Sequence, residues 1–309
     1  METVVMMSTY NGSKFVLEQI ESIFESNPRM TVYIHDDGSS DNTVEQILLA
    51  YQDDNRVNMF KTGEKLGVKK AFLTLLAEIE ADYYFFSDQD DVWEKNKVEV
   101  FLNKAEKLSP NRPGLLYSEL QLVDENNTSM GETMGQHYGW TQREREQKAS
   151  KILFSNRVTG ASMMVNKAMH LFIKHNINDI DIKKIAMHDS FLAKTALMFD
   201  NLLFISDALT RYRQHSQNVV GVKIVKKNIK SRLNVFKQII DETFLVKKLV
   251  EGSTMMDTRY RRILNILNDY YSSKTVVPFV GVLLSPEIPY KKRLMMLIFR
   301  KYFVSGHEY

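Results

Sequence analysis

Short apolar runs alternate with helix-like segments through the first third of the chain, and this alternation limits the fold more than any other feature. Strand-like runs at 3–8, 31–35 and 83–87 are separated by segments in which apolar residues recur every three or four positions. Such short elements with brief connections are typical of a mainly parallel sheet with helices on both faces. We therefore predict an α/β fold built on a Rossmann-like sheet.

A cluster of polar residues follows each of these three strands. The clusters occupy residues 8–11, 36–41 and 88–91. In sheets of this kind the carboxyl ends of the strands meet at one edge, and ligands bind there. We therefore expect the three clusters to form one site, although they lie far apart in the sequence.

The third cluster is the most acidic. Asp88, Asp90 and Asp91 surround Gln89 directly after an apolar strand. Three carboxylates this close would repel one another in a partly buried site, and a hard divalent cation such as Mg²⁺ or Mn²⁺ would relieve that repulsion. The cation could bridge the two phosphates of a nucleotide sugar. The alternative is an acidic surface turn that precedes a helix.

Two further pairs of residues carry possible chemistry. Asp36 and Asp37 could bind ribose hydroxyls or a base N–H, or they could simply form a turn before a helix. His188 and Asp189 fall at a predicted helix start, where the helix dipole favours an ionised carboxylate. Asp189 is thus a candidate general base, with a helix cap as the alternative.

Cationic and hydrogen-bonding groups are concentrated at 211–218. Arg211 and Arg213 could hold diphosphate oxygens, and His215 could either ligate the metal or be structural. We assign Arg211, Arg213, His188 and Trp93 to contacts with the diphosphate or the acceptor.

Taken together, these motifs resemble family 2 inverting glycosyltransferases, which have the A-type glycosyltransferase fold, over roughly residues 3–221. The matching motifs are Ser8-Thr9-Tyr10-Asn11-Gly12, Asp36-Asp37-Gly38-Ser39-Ser40-Asp41-Asn42-Thr43, Ser87-Asp88-Gln89-Asp90-Asp91-Val92-Trp93 and His188-Asp189. The resemblance implies nucleotide-sugar contacts for Thr9, Tyr10, Asn11, Asp36, Asp37, Asp88 and Gln89. It also implies that Asp88 and Asp90 bind the metal and that Asp189 is the catalytic base. The third acid, Asp91, leaves open whether Asp90 or Asp91 contacts the ion.

The residue sequences of three motifs further resemble those of bacterial rhamnosyltransferases of cell-surface polysaccharide assembly. These are Ser-Asp-Gln-Asp-Asp-x-Trp, His-Asp and Tyr-Arg-Gln-His-x-x-Asn-x-x-Gly. This resemblance implies dTDP-L-rhamnose as the donor and a single in-line displacement with inversion. The implied acceptor is a hydroxyl of a lipid-linked saccharide in cell-wall or capsule synthesis. A UDP-hexose donor is the alternative within the same family.

The charge is unevenly distributed along the chain. Residues 222–309 hold 17 Lys and Arg against 7 Asp and Glu, whereas residues 1–221 hold 24 against 31. We predict a catalytic domain at 1–221 and a basic helical extension at 222–309, with helices at 226–250, 257–271 and 286–303. Lysines beside long apolar side chains suit an anionic membrane surface, where a lipid-linked acceptor would be found. The alternative is a packing element or a homodimer interface.

Composition further limits the chemistry, the location and the partners that we expect for this protein. The chain has no cysteine, which excludes disulfides and thiolate chemistry, and it has no apolar stretch of about 20 residues. We expect a cytoplasmic protein, peripheral on the inner face of the cell membrane, and no nucleic-acid partner, because no nucleic-acid module is present.

Two rival functions make different sequence predictions. A sugar-phosphate nucleotidyltransferase would carry a Gly-rich, Arg-containing loop after the first strand, which residues 8–14 do not provide. A catalytically inactive membrane-surface scaffold would be expected to have lost its carboxylates, yet Asp88, Asp90 and Asp189 are present.

Overall fold

The computed structural model describes residues 1–60, 63–141, 149–216, 229–251, 253–272, 281–282, 285 and 288–298. Its strands form one nine-stranded sheet in the order β3-β2-β1-β4-β8-β6-β9-β5, with β7 paired to β6. The strands are β1 Thr3–Thr9, β2 Thr31–Asp36, β3 Val57–Met59, β4 Tyr83–Ser87, β5 Val92–Trp93, β6 Leu115–Val123, β7 Ser129–Thr133, β8 Met163–Asn166 and β9 Leu202–Arg213.

Helices connect most of these strands. They are α1 Val16–Ser26, α2 Thr43–Tyr51, α3 Gly67–Glu78, α4 Lys97–Ala105, α5 Met134–His137, α6 Ala149–Phe154, α7 Lys167–Asn176, α8 His188–Met198, α9 Ile229–Val250, α10 Thr258–Ser272 and α11 Tyr290–Ile298. Short 3-10 turns lie at Gly160–Ser162 and Ile177–Asp179.

The sheet has a parallel half and a mixed half. β3, β2, β1 and β4 run parallel to one another, as the alternation of strands and helices predicts. β8 is antiparallel to both β4 and β6, and β5 is antiparallel to β9. β9 is parallel to β6, and β6 runs in the same direction as β4 because β8 is antiparallel to both, so six of the nine strands share one direction. The predicted α/β fold with a mainly parallel sheet is confirmed, and β5, β7 and β8 run in the opposite direction.

Helices cover both faces of the sheet, and β1 shows this directly. Its side chains alternate, with Val4 and Met6 in one buried cluster and Val5 and Met7 in another. The first cluster contains residues of α3, α7, α8 and α9, and the second contains residues of α1, α2 and α4. Because successive strand residues point to opposite faces, the sheet lies between two helical layers.

The long helix α9 belongs to the larger of these two cores. Leu233, Phe236 and Ile240 on α9 are buried in the same cluster as Phe154 and Phe191. The predicted boundary between catalytic domain and extension, between residues 221 and 222, lies within the segment 217–228, which is outside the described residues. Within the part of the chain that the structure describes, no helix combines the length and hydropathy needed to cross a bilayer.

Candidate active site

The register of the sheet brings the predicted polar clusters to one edge. Thr9 at the end of β1 pairs with Asp36 at the end of β2, and Met7 pairs with Ser87 at the end of β4. Because β8 is antiparallel to β4, the turn Gly160–Ser162 that precedes β8 reaches the same edge. The loops that follow β1, β2 and β4 and the turn that precedes β8 therefore meet at this edge.

A cavity of about 990 Å³ opens at this edge. It is lined by Ser8, Thr9, Tyr10, Asn11, Gly12, Lys14, Phe15, Asp37, Val68, Asp88, Gln89, Asp90, Met134, Tyr138, Trp140, Asn156, Val158, Thr159, Gly160, Met187, His188, Asp189, Tyr212, His215 and Val235. Most of the predicted site residues are in this set. Asp36, Trp93, Arg211 and Arg213 are outside it.

Asp36 connects the first loop to the second. Its carboxylate accepts hydrogen bonds from the Thr9 hydroxyl at 2.8 Å, the Ser39 hydroxyl at 2.6 Å, and the backbone N–H groups of Gly38 at 3.0 Å and Ser39 at 2.8 Å. With four donors on one carboxylate, Asp36 shapes the loop from behind the cavity wall. Because these four donors occupy most of the acceptor sites of the Asp36 carboxylate, little capacity remains for its predicted contact with the nucleotide.

Asp37 has a different position from its neighbour. Its carboxylate lines the cavity and accepts hydrogen bonds from the N–H groups of Leu66 at 2.6 Å and Gly67 at 2.9 Å. These are free donors at the start of α3, so Asp37 also stabilises that helix end.

Gln89 fastens the first loop to the acidic turn. Its side-chain amide accepts from the N–H of Tyr10 at 2.9 Å and donates to the carbonyl of Tyr10 at 3.0 Å. A Cβ on Gly12 would lie 2.1 Å from Gln89 Oε1, so a side chain there would displace the Gln89 amide from Tyr10. Asn11, at φ +50°, completes this arrangement by accepting from the Ser40 N–H at 2.8 Å.

The acidic turn divides its three carboxylates between the cavity and the interior. Asp88 and Asp90 line the cavity, and His215 Nε2 lies 2.8 Å from Asp90 Oδ2. Asp91 is only 1% exposed and is outside the lining set; its Oδ1 accepts from the N–H of Arg213 at 3.0 Å. Asp90, rather than Asp91, is therefore the second acid that faces the cavity.

The electrostatics of this turn favour a positive partner. Burial, followed by the charges of Asp90 and Asp189, raises the pKa of Asp88 to about 7. The ammonium group of Lys97 opposes this shift. Lys97 is itself fully buried, with its Nζ donating to the Ala161 carbonyl at 2.9 Å and the Thr210 hydroxyl at 2.7 Å.

The arginines of β9 do not line the cavity. Arg213 is 2% exposed and braces the acidic turn, with Nε donating to the Asp90 carbonyl at 2.7 Å and Nη2 donating to Glu18 Oε2 at 2.7 Å. Arg211 forms an ion pair with Glu94 at 2.7 Å. Trp93 is buried beneath Lys97, whose Nζ lies 3.9 Å from the centre of its ring.

Asp189 lies in the first turn of α8 and lines the cavity. Its Oδ1 accepts from Asn156 Nδ2 at 2.9 Å and from its neighbour Ser190 N–H at 2.5 Å, and its Oδ2 accepts from Gly160 N–H at 3.1 Å. Burial raises the pKa of Asp189 to about 7 despite these donors. A carboxylate with this pKa, fixed by three donors, suits a general base.

His188 is enclosed by aromatic rings. Its imidazole stacks on Phe72 at 4.3 Å and on Phe86 at 5.8 Å between ring centroids. Burial lowers the pKa of His188 to about 3, so the ring is neutral at physiological pH. A Cβ on Gly160 would lie 2.7 Å from His188 Nε2, so the ring packs directly against the turn whose Gly160 N–H donates to Asp189.

Sequence reasoning missed two residues that organise this site. Asn156 holds Asp189, and Lys97 holds the turn Gly160–Ser162 through the Ala161 carbonyl. A lysine at a helix start normally indicates solvent exposure, and the pattern around Asn156 carried no signal. Among the described residues, no three His, Asp or Glu side chains stand as a preformed set of metal ligands.

Comparison with known proteins gives one family. Residues 4–170, more than half of the chain, match the model of glycosyl transferase family 2. The dTDP-rhamnosyl transferase RfbG of Shigella flexneri is 29% identical over 246 residues, which are 74% of this chain and 78% of the relative. The glycosyltransferase GlyG of Streptococcus pneumoniae serotype 4 is 22% identical over 278 residues, 86% of each protein.

Solved structures share the fold. TarS of S. aureus, in complex with UDP-GlcNAc, superposes with a TM-score of 0.58 at 17% identity, covering 93% of this chain and 77% of TarS. The mannosyltransferase PcManGT of Pyrobaculum calidifontis, in complex with GDP-Man and Mn²⁺, gives a TM-score of 0.52 at 12% identity over 100% of this chain and 88% of that one. The A-type glycosyltransferase fold predicted from the motifs is confirmed. The chain belongs to glycosyl transferase family 2.

Proposed function

We propose that this glycosyltransferase moves L-rhamnose from dTDP-L-rhamnose onto a hydroxyl of a lipid-linked saccharide, with inversion, in the synthesis of a cell-surface polysaccharide. The observation that carries the donor assignment is the 29% identity to RfbG over most of both chains. The site supports a transfer reaction with one cavity that is lined both by the loops and acids at the ends of β1, β2 and β4 and by Asp189.

The nucleotide moiety is assigned to the first two loops. Tyr10, Asn11 and Asp37 line the cavity on backbone whose N–H groups are already fixed by hydrogen bonds to the side chains of Asp36 and Gln89. Because these loops are ordered before the donor arrives, little conformational entropy is lost when it binds.

Proton removal from the acceptor is assigned to Asp189. The acceptor oxygen must approach the anomeric carbon from the face opposite the departing diphosphate, and Asp189 lines the same cavity as the acidic turn. Asn156 and Gly160 hold both carboxylate oxygens in place. Positioning of this kind accounts for much of the rate in a single displacement.

The residues of the acidic turn fit a divalent cation. Mg²⁺ is usually bound by one or two protein carboxylates, with substrate phosphates completing its coordination. Asp88 and Asp90 provide two carboxylates at the cavity wall, and burial followed by the charges of Asp90 and Asp189 raises the pKa of Asp88, so a cation there would stabilise its ionised form. Asp88, Asp90 and His215 would hold Mg²⁺ or Mn²⁺, which would neutralise charge on the leaving diphosphate.

Donor hydrolysis tests the proposed function and the acidic turn together. With Mg²⁺ or Mn²⁺ present, we expect slow hydrolysis of dTDP-rhamnose but not of UDP-glucose, UDP-galactose or UDP-GlcNAc. Asp90→Asn keeps the size of the side chain but removes its charge, so hydrolysis should fall on the order of 10²-fold or more. The measurement is released nucleotide diphosphate, with and without EDTA.

The matched control is Asp53→Asn, which alters an exposed carboxylate that does not line the cavity. Its rate should equal that of the unaltered protein. Hydrolysis of a UDP-sugar alone would replace rhamnose with a hexose. Metal-independent hydrolysis that survives Asp90→Asn would refute the role of the acidic turn.

The basic helices are assigned to an anionic membrane surface. α9 borders the cavity through Val235, and Lys230, Lys291 and Tyr290 are exposed. Basic residues near an anionic surface each contribute about 1 kcal/mol, screened by salt. The predicted cations Lys226, Lys227, Arg300 and Lys301 lie outside the described residues.

Vesicle sedimentation tests this assignment. Binding to vesicles containing phosphatidylglycerol should exceed binding to pure phosphatidylcholine vesicles and disappear at high salt. Lys230→Glu with Lys291→Glu should weaken it by on the order of tenfold or more, whereas Lys95→Glu with Lys107→Glu, which changes two exposed lysines in other parts of the chain, should not. Equal binding to both vesicle types, with a dimer mass in solution, would favour the dimer interface instead.

A further inference from the structure

An aromatic pair forms part of the cavity wall and takes no part in the chemistry described above. Tyr138 and Trp140 both line the cavity, and their rings stack with centroids 5.0 Å apart and planes 17° from parallel. The side chain of Tyr138 is 44% exposed. An exposed aromatic face inside a cavity offers a binding surface that the protein itself leaves partly uncovered.

The pair is held by a rigid support rather than by a loose loop. The helix α5, which precedes it, begins with a capping box, in which Thr133 N–H donates to Gln136 Oε1 at 2.8 Å and Gln136 N–H donates to the Thr133 hydroxyl at 3.3 Å. The backbone N–H of Trp140 then donates to the Gly135 carbonyl at 2.7 Å. Glu119 accepts from the Gly135 N–H at 3.2 Å and so ties α5 to β6.

One short segment connects this pair to the candidate base. The Asn156 side chain donates to Asp189 at 2.9 Å, and the guanidinium of Arg157, the next residue, lies 4.6 Å above the ring of Trp140. Asn156 Oδ1 also accepts from the Val158 N–H at 3.0 Å, which fixes the segment. The aromatic pair is therefore connected to the segment that holds the candidate base, and both line the same cavity.

We infer that Tyr138 and Trp140 form a subsite for a pyranose ring of the acceptor saccharide. The C–H groups on one face of a pyranose carry partial positive charge, and an aromatic face is electron-rich, so the two surfaces attract. The ring's hydroxyl edge stays free to reach Asp189. This inference rests on the proposed function, because it takes Asp189 as the group that receives the acceptor hydroxyl.

The experiment separates sugar binding from donor binding. Methyl α-L-rhamnoside, methyl β-D-glucoside and n-octanol are each titrated against the full chain in the absence of nucleotide, with tryptophan fluorescence as the signal. Trp93, the other tryptophan, is buried away from the cavity, so a change should come from Trp140. We expect saturable binding of at least one glycoside.

The Tyr138→Ala variant should weaken glycoside binding by on the order of tenfold. Tyr138→Phe, which retains the aromatic face, should bind nearly as well as the unaltered protein. Tyr10→Ala, on the nucleotide side, should leave glycoside binding unchanged but weaken binding of dTDP with Mn²⁺, measured separately by calorimetry. Because Tyr138 is half-exposed, its removal should not prevent folding, which circular dichroism checks.

Three outcomes would overturn the inference. They are saturable binding of n-octanol alone, glycoside binding that survives Tyr138→Ala, and no saturable binding of either glycoside. If dTDP with Mn²⁺ fails to bind while glycosides bind in a Tyr138-dependent way, the donor assignment fails and the sugar subsite stands.

Discussion

Replacing Asp189 with asparagine should lower kcat for transfer by about 10²–10⁴-fold, the range that a general base contributes. The amide cannot accept the proton of the acceptor hydroxyl. It also cannot satisfy both sides of the site, because Asn156 Nδ2 and Gly160 N–H both donate to the carboxylate, and an asparagine presents only one oxygen. Binding of dTDP with Mn²⁺ should change little, since Asp189 is not among the residues assigned to the nucleotide or the metal.

The pH dependence of transfer gives an independent reading of the same residue. Because the pKa of Asp189 is raised to about 7, the carboxyl is mostly protonated below pH 6 and cannot act as a base. With the cation saturating at every pH, kcat/KM for the acceptor should rise about tenfold per pH unit up to about pH 7 and then level off. A rate that stays constant between pH 5.5 and 8, or an Asp189→Asn variant with near-normal kcat, would exclude Asp189 as the base.

Replacing Lys194 with methionine should reduce the free energy of unfolding by about 3–5 kcal/mol, because it leaves a buried carboxylate without its counter-charge. Lys194 Nζ lies 2.8 Å from Glu242 Oε1, and both side chains are 0% exposed. The pair joins α8 to α9. Glu242 also accepts from the Ser190 hydroxyl at 2.5 Å and from the Ala186 N–H at 2.6 Å, so the charge left behind would sit beside the start of the helix that carries Asp189.

Urea unfolding of a double-mutant cycle measures this effect. The Lys194→Met, Glu242→Gln variant should be more stable than Lys194→Met alone, because no full charge remains buried. Lys107→Met, which changes an exposed lysine, should stay within about 0.5 kcal/mol of the unaltered protein. A loss below 1 kcal/mol for Lys194→Met, with no rescue in the double variant, would contradict a charged buried pair.

The ends of the parallel strands could be predicted because two simple rules fix them. Apolar runs mark β1, β2 and β4, and a parallel register then requires that Thr9, Asp36 and the acidic turn share an edge. The sequence pattern also places Asp189 at a helix start, where the pattern alone favours a helix cap, and its role as the base is implied by the resemblance and stays a prediction.

Side-chain direction beyond the strand ends could not be predicted in this way. The acidic turn has no repeating pattern of apolar residues that would show which side chains are buried, so the sequence does not distinguish Asp90 from Asp91. In the structure the backbone N–H of Arg213 donates to Asp91, which is buried. Arg211 and Arg213 look equivalent in sequence. Only Arg213 is surrounded by Phe15, Glu18 and Asp90, which come from other parts of the chain.

Long-range contacts also decide which polar residues are buried. Lys97 and Lys194 carry no sequence signal that separates them from surface lysines, yet both donate to backbone carbonyls in the interior. The sequence pattern does not single out the aromatic pair, because its neighbours in the chain are polar and the polar composition of residues 135–147 is typical of a loop. The capping box that orders this stretch depends on Thr133 and Gln136, a pattern that also occurs by chance.

The contacts of Arg213 have a consequence for how the molecule is made. Its guanidinium meets Glu18, which lies 195 residues earlier in the chain, and the carbonyl of Asp90, 123 residues earlier. During synthesis on the ribosome the acidic turn therefore lacks its contacts with Arg213 until more than two thirds of the chain has emerged. Contacts of such high sequence separation form slowly, so a polypeptide released before β9 should be inactive, and refolding should recover sheet structure sooner than catalysis.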